Sequence, residues 1–382
     1  VHVANKAGYE LYNLTTPFHV GSSDQVFVRP ARAKKVYYPL GSALVPAYYL
    51  ELQVGKTGAN DADGYAYVIS ARDGELLERR NLVTHDVYTY RVWADQTAPY
   101  TPTDGPLSDF TPHPTGMPDF SYPAPAASRL ISVDSFNTNP MSSSDPWLPT
   151  SATETVGNNV DSYTDHFGPD GYDAGIDMRA PLSGPNAFDW TYDLTQDPLS
   201  SVEQSYASTT QLFFMNNWLH DFWYDSGFVE AAGNAQMDNF GRGGQEGDPL
   251  HAEAQDGALD GARDNANMLT PADGESPRMQ MYLWSGALEL DGTLDNGIVA
   301  HEWGHYMHLR LVSASSNQTY SQSEGWGDFL SLHTGSHDGD DFANGTFATG
   351  QYAAVAFGDV GYYGIRRLPY TRDMTKNPFT FK

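Results

Sequence analysis

The sequence predicts an α+β chain in which a small antiparallel module leads into a β-rich middle and then into a helical region. Three observations predict it. Runs rich in aromatic and β-branched residues occupy positions 45–55 and 64–82, a helical apolar period sets in near residue 200, and two further helical segments cover 297–311 and 321–335. At 382 residues, 40% hydrophobic and 13% aromatic, the chain can bury a substantial core, and its length predicts two or three domains.

In chain order, "VPAYYLELQVG" and "GYAYVISARDGELLERRNL" read as strands, the second turning at Asp73-Gly74. From about 97 to 150 the composition shifts to Pro, Ser, Thr and Asp, which excludes long helices and predicts a segment that wraps a surface, links domains or stays disordered. "SSVEQSYASTTQLFFMNNWLHDFWYDSGF" (200–228) carries apolar residues at helical spacing up to Gly227, and the Gly- and Asp-rich stretch after it reads as loops with short strands. The expected divisions are 1–86, a β-rich module; 87–195, a Pro/Ser/Thr-rich start followed by a β-rich part; and 196–382, a helical region.

A formal net charge of −27, from 21 basic and 48 acidic residues, argues against a nucleic-acid partner and offers carboxylates for Ca2+ sites. No run of 18 apolar residues predicts a transmembrane segment, and the opening "VHVANKAGYE" lacks the layout of a signal peptide. With no cysteine, disulfides, thiol catalysis and cysteine-ligated zinc are excluded.

The chemistry concentrates in "GIVAHEWGHYMHLRL" (297–311). Four residues of helix turn slightly more than once, so His301 and His305 project from one face and can grip one ion. Glu302 lies about 100° round the helix, poorly placed to ligate but able to reach a water on that ion. Read blandly, these are core or surface histidines, because the motif is short. A zinc hydrolase needs a third protein ligand and an open position for water. A third histidine ten residues after the first is excluded, since Leu311 stands there and His308 replaces the glycine of that pattern. Downstream, "SQSEGWGDFLSLHTG" places Glu324 and Asp328 four apart. Glu324 is the candidate third ligand, and Asp328 is the candidate acceptor for the free ring nitrogen of a liganding histidine, His301 first. His220 beside Asp221, in an aromatic-rich helix, reads as core packing.

The blocks "TETVGNNVDSYTD", "QLFFMNNWLHDFWYDSGFVEAAGNAQMDNFGRGGQEGD", "DNANMLTPADGESPRMQMYLW", "DNGIVAHEWGHYMHLRL", "SEGWGDF" and "GIRRLPYTRDMTKNPFTFK", in this order, resemble the fungalysin family of secreted zinc metallopeptidases over roughly residues 88–382. The resemblance implies a thermolysin-like zincin architecture, secretion as a zymogen, zinc held by His301, His305 and Glu324, and Glu302 as the catalytic glutamate. It also implies that Asn265 and Ala266 lie on an edge strand that pairs with the substrate backbone. The segment ending "DGELLERRNLVTHDVYTYRVWAD" resembles the end of the family's propeptide, with maturation near His85 to Arg91.

Two departures stand out. Trp303 and Gly304 replace the family's tyrosine and threonine, with little expected effect. The chain is expected to stop before a Gly-Val-His element and before the last helices, which leaves Tyr320 as a candidate oxyanion donor within it. The function expected is a secreted zinc endopeptidase acting on polypeptides, with its own propeptide as a second partner. The alternatives are an inactive or structural surface protein on a zincin scaffold, or a zinc amidase for small substrates.

Overall fold

The computed structural model describes residues 1–382 apart from 7, 17, 21–22, 28, 42, 57–62, 83–86, 120, 137–144, 313–314, 359–360 and 381–382. The expected maturation point near His85 therefore lies partly outside the described residues. The chain forms two compact units, one of Val1–His85 with Asn137–Pro146 and one of Asp86–Phe136 with Trp147–Lys382.

The first unit is an antiparallel sheet of β1 (His2–Lys6), β2 (Tyr9–Tyr12), β3 (Phe18–Val20), β4 (Ser23–Phe27), β5 (Ala31–Leu40), β6 (Ala43–Lys56), β7 (Asp63–Ser70) and β8 (Leu76–Asn81). The long β6 organises it. One edge of β6 pairs with β5 from Leu40↔Ala43 to Arg32↔Glu51 and then with β4, while the other pairs with β7, which turns back into β8. Among the described residues its buried apolar side chains are Ala31 of β5 and Val45, Ala47, Tyr65, Ala66 and Val68 of β6 and β7.

The second unit opens with β9 (Tyr88–Val92), whose Tyr88, Tyr90 and Val92 are buried while Thr89 and Arg91 are only half so, the two-residue alternation of a strand with one covered face. It pairs with β10 (Arg129–Val133) on one side and, further along the chain, with β12 (Ala187–Phe188) on the other. The Pro-rich stretch around β10 has little regular structure, yet it is anchored: Leu107, Trp147 and Leu148 are buried, and the Trp147 indole N–H donates to Asp221 at 2.8 Å.

A second sheet runs β11 (Val160–Thr164), β13 (Leu250–Ala254), β15 (Arg278–Met281), β14 (Ala266–Leu269), parallel except for the antiparallel edge strand β14. The β11–β13 ladder joins strands from either side of residue 195, so segments 87–195 and 196–382 contribute to one core. A short hairpin of β16 (Leu283–Trp284) and β17 (Leu290–Asp291) follows.

Helix α1 (Val202–Asp225) runs through the middle of this unit, with every residue from Ala207 to Asp221 buried. Among its buried polar side chains, Asn216 and Asn217 donate to the carbonyls of Leu212 and Phe213, and Gln211 accepts from Trp93 N at 2.9 Å and donates to Asn296 Oδ1 at 2.8 Å. The last contact fixes the start of α2 (Asn296–Leu311), which is followed by α3 (Asn317–Thr334) and the single turn α4 (Gln351–Ala354). Among the described residues no helix is long and apolar enough to cross a membrane.

Candidate metal centre

Helix α2 begins at Asp295, whose Oδ1 accepts from Ile298 N at 3.1 Å as an N-cap and whose Oδ2 accepts from Ala353 N at 2.9 Å, tying the helix start to α4. Its far face is held by the Tyr306 hydroxyl, which accepts from Ala235 N at 2.6 Å, and by Arg310, paired with Asp248 at 3.1 Å and Asp273 at 3.0 Å. Helix α3 starts at Ser316, whose Oγ accepts from Thr319 N at 3.1 Å.

The two helices cross at glycines. A Cβ on Gly304 would lie 2.6 Å from Gly327 Cα, and one on Gly327 would lie 2.6 Å from His301 Nδ1. Only residues without side chains permit this approach, which presses Ser323, Glu324 and Asp328 against the histidines of α2. Gly304 is thus a contact residue rather than a neutral replacement.

Each imidazole is held at one nitrogen and faces Glu324 with the other. His301 Nδ1 lies 2.7 Å from Asp328 Oδ1 and His305 Nδ1 lies 2.8 Å from Ser323 Oγ. His301 Nε2 is 3.3 Å from one Glu324 oxygen, and His305 Nε2 is 3.7 Å from the other. Ligand atoms of His301, Glu302 and His305 lie within 4.8 Å of one another, and Glu302 Oε2 is buried without a hydrogen-bond partner. Two imidazole nitrogens converging on a shared carboxylate, beside an unpartnered carboxylate oxygen, fit a divalent cation, and the N/O donor set suits zinc.

The electrostatics follow from burial and from this sharing. Burial raises the Glu302 carboxyl to about 7, eased by His301 and reinforced by Glu324. Burial works against a proton on His301, but hydrogen bonds to Asp328 and Glu324 outweigh it and lift the ring to about 9. His305, desolvated and beside that charge, falls to about 4. Against the cost of burial, hydrogen bonds from His301, Arg366 and Tyr370 hold Asp328 below the ordinary carboxylate range.

The sequence model of the fungalysin metallopeptidase family (M36) matches residues 121–382. The chain belongs to the fungalysin family. It is 33% identical to extracellular metalloproteinase MEP of Fusarium vanettenii over 72% of its own length and 42% of that protein's. Against extracellular metalloproteinase 2 of Trichophyton tonsurans the identity is 35%, over 60% of this chain and 35% of the other. Extracellular metalloproteinase mep of Aspergillus niger is also 35% identical, over 62% and 38%. This fungalysin chain therefore spans about two fifths of the length of the curated relatives it matches.

A cleft lies over the two histidines, and its lining places several further residues. Asn265 and Ala266 line it together with Asn267 and Met268; Asn265 directly precedes β14, which holds the other three and is the last strand in its sheet order. Tyr320, exposed in the first turn of α3, faces the same cleft. His220 lies elsewhere, buried between Asp221 Oδ1 at 3.0 Å and Gln236 Oε1 at 2.9 Å, a core network. Three residues escaped sequence reasoning. Ser323 holds His305, Arg366 binds Asp328 through Nε at 2.7 Å and also lines the cleft, and the Tyr370 hydroxyl donates to Asp328. The one available signal was two adjacent arginines in "GIRRLPY" within a strongly acidic chain.

Proposed function

We propose that this chain carries the active centre of a secreted zinc endopeptidase, with His301, His305 and Glu324 as metal ligands and Glu302 as general base. The carrying observation is the buried, unpartnered Glu302 Oε2 beside two histidines whose free nitrogens share the Glu324 carboxylate. Zinc bound there supplies a Lewis acid that polarises a scissile carbonyl and a water whose pKa falls to about 7. Glu302 removes the proton of the attacking water and passes it to the leaving amine. Asp328 accepts a hydrogen bond from His301 Nδ1–H and so keeps Nε2 as the electron-pair donor, while Arg366 and Tyr370 keep Asp328 ionised and oriented. The free edge of β14, with Asn265 at its entry and Ala266 within it, offers an extended peptide the pairing that makes a polypeptide the substrate.

A metal helix packed on a second ligand-bearing helix, beside a sheet whose edge strand borders the cleft, supports the thermolysin-like reading. The antiparallel module of Val1–His85 supports its assignment as the end of a propeptide, because its closing sequence resembles that part of the family. The relatives' names as extracellular enzymes support secretion.

Casein hydrolysis by the whole protein that carries this chain is expected to stop on treatment with a metal chelator and to return with zinc. Hydrolysis that survives verified metal removal would reject the reading. A subtler test falls on Asp328. Asp328→Asn keeps the shape but removes the charge shared by His301, Arg366 and Tyr370, and should lower zinc affinity or turnover by about 10- to 100-fold. A competition titration giving the unsubstituted affinity, together with unchanged turnover, would reduce Asp328 to a packing residue.

A further inference from the structure

Away from the cleft, three carboxylates meet at the C-terminal ends of two parallel strands. Asp165 directly follows β11, Glu253 lies within β13, and Asp256 follows it by two residues. One oxygen from each lies within 4.8 Å of the others, and the residues are 1%, 0% and 5% exposed. None of them lines the cleft over His301.

The hydrogen bonds to these carboxylates leave oxygens over. Asp165 Oδ2 accepts from Gly171 N at 2.9 Å, Glu253 Oε1 from the Tyr163 hydroxyl at 3.0 Å, and Asp256 Oδ2 from Gln280 Nε2 at 3.0 Å. Asp165 Oδ1 and Glu253 Oε2 are buried without hydrogen bonds. The cation beside them, Arg278, stands 3.6 Å from Glu253 Oε2 and directs its Nη2 to Asp170 at 2.7 Å instead. One guanidinium shared in this way cannot neutralise three buried carboxylates, and burying an unpaired charge is costly. Desolvation accordingly raises Asp165 to about 7 and Glu253 to about 8.

We propose that Asp165, Glu253 and Asp256 form a second cation site, for calcium, distinct from the centre on α2 and α3. The donors are all oxygen, with no histidine or cysteine among them, which suits a hard cation and disfavours zinc. Calcium–oxygen bonds of about 2.4 Å place ligand oxygens on opposite sides of the ion about 4.8 Å apart, the span within which these three atoms lie. The site also has a route to the cleft. Gln280, which donates to Asp256 Oδ2 at 3.0 Å, pairs on β15 with Asn267 of β14. An ion fixing Asp256 therefore steadies the strand that borders the cleft.

The test uses the full chain. Terbium, excited through tyrosine, is titrated first, since Tyr163 touches Glu253 and should sensitise its emission; calcium is then added as competitor up to about 10 mM. The expected result is emission saturating at one displaceable ion per chain and a calcium-dependent rise in Tm. Asp165→Asn and Glu253→Gln should each weaken calcium binding at least about tenfold and cancel that rise, with transition-metal content unchanged. Without calcium, Asp165→Asn should melt no lower than the parent, because it relieves repulsion and retains an oxygen for Gly171; a structural hydrogen-bond role alone would lower Tm with and without calcium alike. No sensitised emission and no calcium effect on the parent protein would overturn the proposal, as would parental calcium affinity in either variant. Should Asp165→Asn fail to fold, the parent titration and Glu253→Gln decide.

Discussion

Glu324→Ala is expected to strip the metal from the protein, whereas Glu302→Gln is expected to keep it and lose hydrolysis by about 10²- to 10⁴-fold. The two glutamates are separated by their surroundings. Glu324 has a side chain 64% exposed, and its two oxygens face the Nε2 atoms of both histidines, so its loss costs the fold little and leaves two imidazoles that hold zinc poorly. Glu302 is buried, and its Oε2 has no partner to lose, so glutamine of nearly the same shape can occupy the position without breaking a bond. What glutamine cannot do is take a proton. Metal content and kcat measured on both variants check the pair: full zinc in Glu324→Ala removes it from the ligand set, and parental turnover in Glu302→Gln removes it as the base.

Gly327→Ala should damage the same centre without touching a ligand. The added methyl would meet His301 Nδ1 at 2.6 Å, Cε1 at 2.7 Å and the His301 carbonyl oxygen at 2.9 Å, with backbone on one side and a ring held by Asp328 on the other. Either the helices separate or the ring turns, and both break the approach that brings Glu324 to the histidines. We expect a stability loss of about 1–3 kcal/mol from overpacking together with a marked fall in metal affinity. Gly325→Ala is the control. That position is exposed, a Cβ there meets nothing within 4 Å, and alanine should stabilise the helix by roughly 0.5–1 kcal/mol. Thermal melts and zinc titration of the two variants check the contrast, and equal behaviour would mean the crossing is looser than its geometry.

What could be read from the sequence was whatever is local. The spacing of His301, Glu302 and His305 is a property of one helix, and Ile298 and Val299 mark its buried side. Glu324 and Asp328 were findable because the second helix follows directly. The face of that helix was less legible. Its buried side is Ser323, Gly327, Asp328, Leu330, Ser331 and Thr334, while Trp326 and Phe329 are exposed, so apolar periodicity points away from the contact that matters. A close crossing selects small residues, and small residues carry no periodic signal. Arg366 and Tyr370 lie 38 and 42 positions from Asp328, on a segment without regular structure, and no local pattern announces them. The pairing of β11 with β13 is likewise long-range, which is why a division near residue 195 was natural on composition and yet strands on either side of it share a sheet.

The two bonds made by Asp295 also bear on motion. Helix ends ordinarily fray turn by turn, and a ligand two turns from an end inherits part of that fluctuation. Here one carboxylate closes the first turn of α2 with one oxygen and holds Ala353, 58 residues further on, with the other. Loosening either strand of that tie loosens the other, so His301 and His305 ride on a helix whose beginning cannot breathe by itself. The position of His301 and His305 is thereby set by the chain on both sides of them, and a disturbance around α4 reaches their helix without passing through the cleft.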